Sequence, residues 1–200
     1  MIVLGLGANM DSVWGAPAHT IRYAMSLFGV NGICVKARSP FYESAPLGVR
    51  DQSDFVNAVV AVRTTLPPES LLRVLKRLER KAGPRSGTRW GPRPLDIDIL
   101  DYAGRIINWP AVGRHGLSCD VRSQVPAARS PGARHLRRSG LVTPHPQMHL
   151  RAFVLQPLVD ILPRWHHPVS GESACQFLRA LPPDKRGHEG QIRRMLSEPP

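Results

Sequence analysis

Cysteine is scarce in this sequence, as are aromatic residues, acidic residues and long apolar runs. The three cysteines, Cys34, Cys119 and Cys175, are an odd number and far apart, with no CxxC and no tight Cys/His spacing. That pattern argues against a disulfide framework and against a structural zinc site, so they read as reduced thiols. No apolar stretch approaches the roughly 18 residues needed to span a bilayer. Residues 1–7 lack the basic start and small-residue cleavage site of a signal peptide. The expectation is a cytoplasmic protein with no membrane partner. Aromatics make up only 6%, few platforms for stacking nucleic-acid bases. Acidic side chains number 15 against 27 Lys and Arg, a net charge of +12. An anionic partner is implied: nucleic acid, a lipid surface or a phosphorylated small molecule.

What is present is of ordinary globular composition. The chain has 200 residues, 42% of them hydrophobic, with mean hydropathy −0.20. That suffices for one domain with a real core, or one domain with an insertion, but hardly for two. We expect a single domain over residues 1–181 and a polar tail over 182–200. Part of the positive charge is local, because residues 113–140 carry Arg114, Arg122, Arg129, Arg134, Arg137 and Arg138 against the single acid Asp120. This stretch lacks apolar periodicity, and residues 110–140 read as a flexible basic insertion. It is either a spacer or a source of arginines for a bound phosphate.

Hydrophobic period organises the rest. Residues 2–7 and 33–42 read as strands. Between them, Ile21, Ala24, Met25 and Phe28 fall on one helical face before Gly29. Residues 55–65 alternate, placing Val56, Ala58, Val60 and Val62 on one side and Phe55, Asn57 and Val59 on the other. A second helix opens near Pro68 and carries Leu71, Leu75, Leu78 and Ala82 to Gly83. A Pro/Gly/Arg/Ser loop over 84–94 leads into a strand over 95–102, and residues 172–181 can form a last helix. The order strand, helix, strand, strand, helix, strand (βαββαβ) predicts an α+β fold. It is the ferredoxin-like split βαβ with an antiparallel sheet, helices on one face and C-terminal additions.

The sharpest chemical feature is Asp96 and Asp98. Two residues apart on a strand, their carboxylates share a face while Ile97 and Ile99 share the other. A hard cation such as Mg²⁺ takes one or two carboxylates and completes its shell with water and phosphate oxygens. A solvated strand face is the bland alternative. Arg89 and Arg93 lie just upstream, so cations suited to phosphate sit beside the acids, as phosphoryl transfer requires. Other patterns fail on context. Gly5-x-Gly7 has no third glycine and GxxxxGK is absent. Pro146 opposes a helix that would align His145 with His149, and His166 and His167 read as surface residues.

The stretch Arg89-Trp90-Gly91-Pro92-Arg93-Pro94-Leu95-Asp96-Ile97-Asp98-Ile99-Leu100 resembles the signature of the 6-hydroxymethyl-7,8-dihydropterin pyrophosphokinases of folate biosynthesis. Further matching segments occur in family order. They are Leu4-Gly5-Leu6-Gly7-Ala8-Asn9, Phe41-Tyr42-Glu43-Ser44-Ala45-Pro46-Leu47-Gly48, Asp51-Gln52-Ser53-Asp54-Phe55-Val56-Asn57-Ala58, Pro144-His145-Pro146 and Arg151-Ala152-Phe153-Val154-Leu155. The resemblance implies ATP-dependent transfer of pyrophosphate to the pterin hydroxymethyl group with release of AMP. It implies Asp96 and Asp98 as ligands of two Mg²⁺ ions that come with ATP, and Arg89 and Arg93 as catalytic cations. Arg85, Arg89, Ile99, His145 and Arg151 would bind ATP. Phe55 and Phe153 would sandwich the pterin, Asn57 would read its polar edge, Ser44, Ala45 and Leu47 would contact it, and Trp90 would close over it. The sequence leaves the oligomeric state open.

Three residues depart from the family pattern. Pro84-Arg85-Ser86 stands where two arginines are common, Phe55 where Tyr is also common, and Lys76 on a helix position where a neutral amide is expected. Lys76 is either surface variation or a replacement charge. Two other readings stand beside the kinase: a basic ferredoxin-like module that binds nucleic acid, which the acid pair and the few aromatics disfavour, and a catalytically degenerate homologue that binds pterin.

Overall fold

A computed structural model of the chain describes residues 1–46, 51–84, 91–109, 140–182 and 192–195. In chain order the described elements are β1 (Ile2–Ala8), α1 (Pro17–Ser26), β2 (Ile33–Arg38), β3 (Tyr42–Ser44), β4 (Phe55–Thr64), α2 (Pro68–Ala82), β5 (Asp96–Tyr102), α3 (Ala152–Ile161), α4 (Ala174–Ala180) and β6 (Ile192–Arg194). The sheet runs β5-β1-β4-β3-β6, with β2 also on β4, and its pairings are antiparallel. This is the ferredoxin-like α+β order read from the sequence. The basic segment expected at 110–140 lies, apart from Gly140, outside the described residues.

The segment 33–42, read as one strand, is two. Pro40 has no N–H for a ladder, and the register on β4 already shifts between Val35 and Ala37. Ser39 bridges the gap. Its N–H donates to the Val59 carbonyl at 2.9 Å, and its Oγ accepts from the Val59 N–H at 3.0 Å. Within the stretch expected as a polar tail, β6 pairs with β3, and Arg193 reaches Glu43 at 2.5 Å.

Strand alternation divides the core. Leu4, Leu6, Val56, Ala58, Val60, Val62, Ile97 and Ile99 point to the face covered by Ile21, Ala24 and Phe28 of and after α1 and by Leu71, Leu75 and Leu78 of α2. Each fully buried Leu contributes roughly 1.5–3 kcal/mol. Helix α2 has Pro68 and Glu69 in its first turn and Arg80 and Lys81 in its last, charges placed to complement the helix dipole. On the opposite face, Val3, Val59 and Leu100 pack under Met148, Leu155, Leu158 and Phe177. The C-terminal helices therefore cover part of that face, and the site lies on the part beside them. Helix α4 starts at a capping box between Ser173 and Gln176.

One histidine departs from its expected place. His166 is exposed, but His167 is 1% exposed, edge-on to Trp109, Trp165 and Phe177. The turn over 167–172 closes through His167 N–H to the Glu172 carbonyl and Gly171 N–H to the His167 carbonyl, both 2.8 Å. His166 bridges to Ser173, and in this extended stretch neighbouring side chains point opposite ways.

Candidate active site

The antiparallel register builds the site. Asp96 lies opposite Gly7 and Asp98 opposite Gly5, and on the far side of β1 Gly7 faces Asn57 and Gly5 faces Val59. Asn57 in turn faces Tyr42, and Phe55 faces Ser44. Directly opposed residues share a sheet face, so two glycines without side chains separate the acid strand from the strand carrying Phe55 and Asn57. A Cβ on Gly7 would stand 3.4 Å from Asn57 Oδ1 and 3.8 Å from Phe55 Cδ1, and one on Gly5 would press Leu100 Cδ1 at 3.2 Å. The bare strip is the floor of a cleft of about 780 Å³, its open mouth included. Ser44, Ala45, Phe55, Asn57, Arg93, Asp96, Asp98, Arg151 and Phe153 line it. Gly5-x-Gly7, incomplete as a dinucleotide fingerprint, takes this role only through the strand register.

The acid end is crowded with cations. Arg93 Nη1 donates to Asp96 Oδ2 at 2.9 Å. His145 Nδ1 accepts from the Gln147 N–H at 3.2 Å, which leaves the proton of the neutral ring on Nε2, 4.0 Å from Asp98 Oδ2. Burial pushes the His145 pKa down, partly opposed by the Asp98 charge. Burial also lowers that of Arg151, against the pull of Asp98 and Asp96. Arg151 is oriented by Gln147 Oε1 at 2.5 Å, and its guanidinium carbon sits 5.8 Å from the Phe153 ring centre. His149 does not join them. It packs 5.5 Å from Phe177, on the α4 side.

At the other end Asn57 Nδ2 donates to Ser44 Oγ at 2.9 Å, to the Phe55 carbonyl at 3.3 Å and to the Tyr42 carbonyl at 3.4 Å. Its Oδ1 is the group turned over the Gly7 floor. Ile99 is different: its side chain is 3% exposed in the helix-side core, so it can meet a ligand in this cleft only through its backbone. Leu47, Arg85, Arg89 and Trp90 lie outside the described residues.

Three further residues shape the site without having been assigned a part in it. Asn9 holds the Arg93 loop. Glu79, 5% exposed, accepts from the Ile97 N–H at 2.7 Å through Oε1, and burial raises its pKa although the Lys76 charge opposes this. Lys76 is no surface variant: its ammonium lies 2.6 Å from Glu79 Oε1 and 3.9 Å from both Asp96 Oδ1 and Asp98 Oδ1. A buried Glu three residues after a Lys was the available signal.

Hard carboxylates beside fixed cations can grip a metal–phosphate group, and aromatic faces with an amide can grip a flat polar ring. Fold and site together define an α+β domain with a cleft, acids and cations at one end and an aromatic–amide pair at the other. Comparison with known proteins narrows the class. Residues 3–163 match the family described as 7,8-dihydro-6-hydroxymethylpterin-pyrophosphokinase (HPPK), and the chain belongs to that family. A 2-amino-4-hydroxy-6-hydroxymethyldihydropteridine pyrophosphokinase of Methylorubrum extorquens is 35% identical over 180 residues, covering 90% of this chain and 92% of its own. The mitochondrial folate synthesis bifunctional protein of Arabidopsis thaliana is 38% identical over 161 residues, where the match spans 80% of this chain but only 23% of that one. Among solved structures, the Plasmodium falciparum HPPK-DHPS A437G/K540E with pterin and p-hydroxybenzoate superimposes with TM-score 0.60 at 16% identity, over 96% of this chain and 46% of that one.

Proposed function

We propose that the chain transfers the terminal pyrophosphoryl group of ATP to the hydroxymethyl oxygen of 6-hydroxymethyl-7,8-dihydropterin, releasing AMP, as a step of folate synthesis. One observation carries this reading: an acid pair set among cations and an aromatic–amide end share one cleft across a floor of two glycines. We assign the activity to residues 1–181 as one domain, with 110–140 as a spacer.

In the reaction the pterin hydroxymethyl oxygen attacks the β-phosphorus. The bond from that phosphorus to the oxygen bridging to the α-phosphate breaks, AMP leaves with this oxygen, and the hydroxyl proton is released. No covalent enzyme intermediate is required. Asp96 and Asp98 would hold Mg²⁺, two ions with ATP; their oxygen chemistry fits a cation that takes few protein ligands. When bound, the metal supplies neutralisation of the charge developing on the phosphates. Arg93 and Arg151 hold the transferred group in line, and Arg85 and Arg89 are assigned to the same phosphates. His145 Nε2–H donates to a nucleotide oxygen, and the Ile99 backbone meets the base. Phe55 and Phe153 clasp the ring, Asn57 Oδ1 accepts from a ring N–H, Ser44, Ala45 and Leu47 border it, and Trp90 closes over it.

The test is direct. Protein, Mg-ATP and 6-hydroxymethyl-7,8-dihydropterin together should yield AMP and the pterin pyrophosphate in equal amounts. Formation of ADP, or no turnover with folded protein, overturns the proposal.

A further inference from the structure

The Lys76 ammonium is held from behind. It donates to Glu79 Oε1 at 2.6 Å and to the Ile97 carbonyl at 3.4 Å. The two acids that face the cleft stand farther off, each at 3.9 Å. That is too long for a hydrogen bond but well inside the range of a strong Coulomb interaction. Because Glu79 and a backbone carbonyl hold it, the ammonium does not leave when another cation approaches the acids. Asp96 has a second cation in Arg93, 2.9 Å away, held by Asp96 itself. A bare divalent ion entering here meets acids already partly neutralised and an ammonium that stays. An ion entering on a triphosphate brings anionic oxygens that the same charges favour.

We propose that Lys76 is a positioning residue that keeps the affinity of the Asp96–Asp98 pair for a free divalent cation low, so that the metal enters as its nucleotide complex. This deepens the proposed function and rests on its assignment of the acid pair as the metal site. The competing role is structural. Lys76 and Glu79 together satisfy the outward peptide groups of Ile97 on β5, and a purely structural residue would change thermal stability without changing metal affinity.

The experiment titrates Mn²⁺, followed by electron paramagnetic resonance at low salt, into the full chain alone and with α,β-methylene-ATP. Lys76→Gln keeps a donor for the Ile97 carbonyl but removes the charge. It should tighten Mn²⁺ binding to the free protein at least about fivefold, since a unit charge some 4 Å from both acids repels the ion even after screening by the nearby water. With the nucleotide present, the same variant should bind Mn²⁺ no more tightly than wild type. Lys76→Arg, which keeps the charge, should leave the free-metal affinity near wild type and guards against a folding artefact. Free-metal affinity of Lys76→Gln within twofold of wild type overturns the proposal. Asp96→Asn separates the two levels. If it weakens Mn²⁺ binding with nucleotide while Lys76→Gln has no effect, only the Lys76 proposal falls. If Asp96→Asn has no effect either, the acid-pair assignment fails and the proposal with it.

Discussion

Asn9 and Arg93 exchange two hydrogen bonds across 84 positions of sequence: the Arg93 N–H donates to Asn9 Oδ1 at 2.9 Å, and the Asn9 N–H donates to the Arg93 carbonyl at 3.2 Å. Asn9 Nδ2 also donates to Gln52 Oε1 at 2.9 Å and to the Ser53 carbonyl at 3.0 Å. One buried amide thus ties the arginine loop to the loop that precedes Phe55. Asn9→Ala should cost about 1–3 kcal/mol of stability through the groups it leaves unpaired. It should also raise KM for ATP, because Arg93 loses its anchor. Calorimetric melting and steady-state kinetics check both; unchanged KM in a destabilised variant would confine Asn9 to the fold.

Asp96→Asn and Asp98→Asn keep size and strand fit while removing a hard anionic ligand. AMP release should fall by orders of magnitude with folding retained. Near-wild-type turnover of either variant at saturating Mg²⁺ would contradict the metal assignment.

Asn57→Ala removes the acceptor over the floor and should weaken pterin binding by about 1–3 kcal/mol, leaving ATP binding nearly unchanged. Calorimetry with each ligand separately decides. Loss of ATP affinity with intact pterin affinity would place Asn57 at the wrong end of the cleft.

Gly7→Val tests the floor itself. Valine suits a strand, yet its methyl groups would rise between Asp96 and Asn57, where a Cβ alone already meets Asn57 Oδ1 at 3.4 Å. Pterin affinity should drop more than tenfold with circular dichroism unchanged. Full affinity would mean the ring does not lie over β1.

Burial, reinforced by neighbouring His149, holds the His167 pKa at about 4, and burial lowers that of His149 as well. An unfolded chain has its histidines near 6.5. Between these values the unfolded state takes up a proton that the fold refuses, so stability is full above pH 6.5 and is lost as pH falls towards 4. For His167 alone the loss is on the order of 3 kcal/mol. His167→Asn keeps an acceptor for the Val169 and Ser170 N–H groups and cannot titrate. The gap in melting temperature between pH 7.5 and 4.5 should therefore shrink in this variant. An identical gap would assign the acid lability to other groups.

The division between what sequence shows and what it hides follows from the range of the interactions. Period-2 alternation in β4 and β5 placed Asn57 with Phe55 and Asp96 with Asp98, because strand geometry is local. The helical stripes Ile21–Phe28 and Leu71–Ala82 were legible for the same reason. The single reading of 33–42 failed because Pro40 breaks a ladder without breaking apolar character. The Gly5–Gly7 floor depends on which strands flank β1, the Asn9 clamp on a contact 84 residues away, and the burial of His167 on the Trp109 and Phe177 rings packed against it. Lys76 reads as a solvated helix residue because the strand that gives it a part, β5 with Asp96, Ile97 and Asp98, lies some twenty residues further along the chain.

The peptide of Ile97 has a consequence for handling this protein. As the terminal strand in the described sheet order, β5 would offer its outward N–H and C=O to any other extended chain, the usual route to edge-to-edge aggregation. Glu79 takes that N–H and Lys76 that C=O, so a helix side-chain pair closes the β5 edge at Ile97, beside the acids. Variants at either position should accordingly be watched for loss of solubility during refolding, since removing one of these side chains reopens a template for β-pairing.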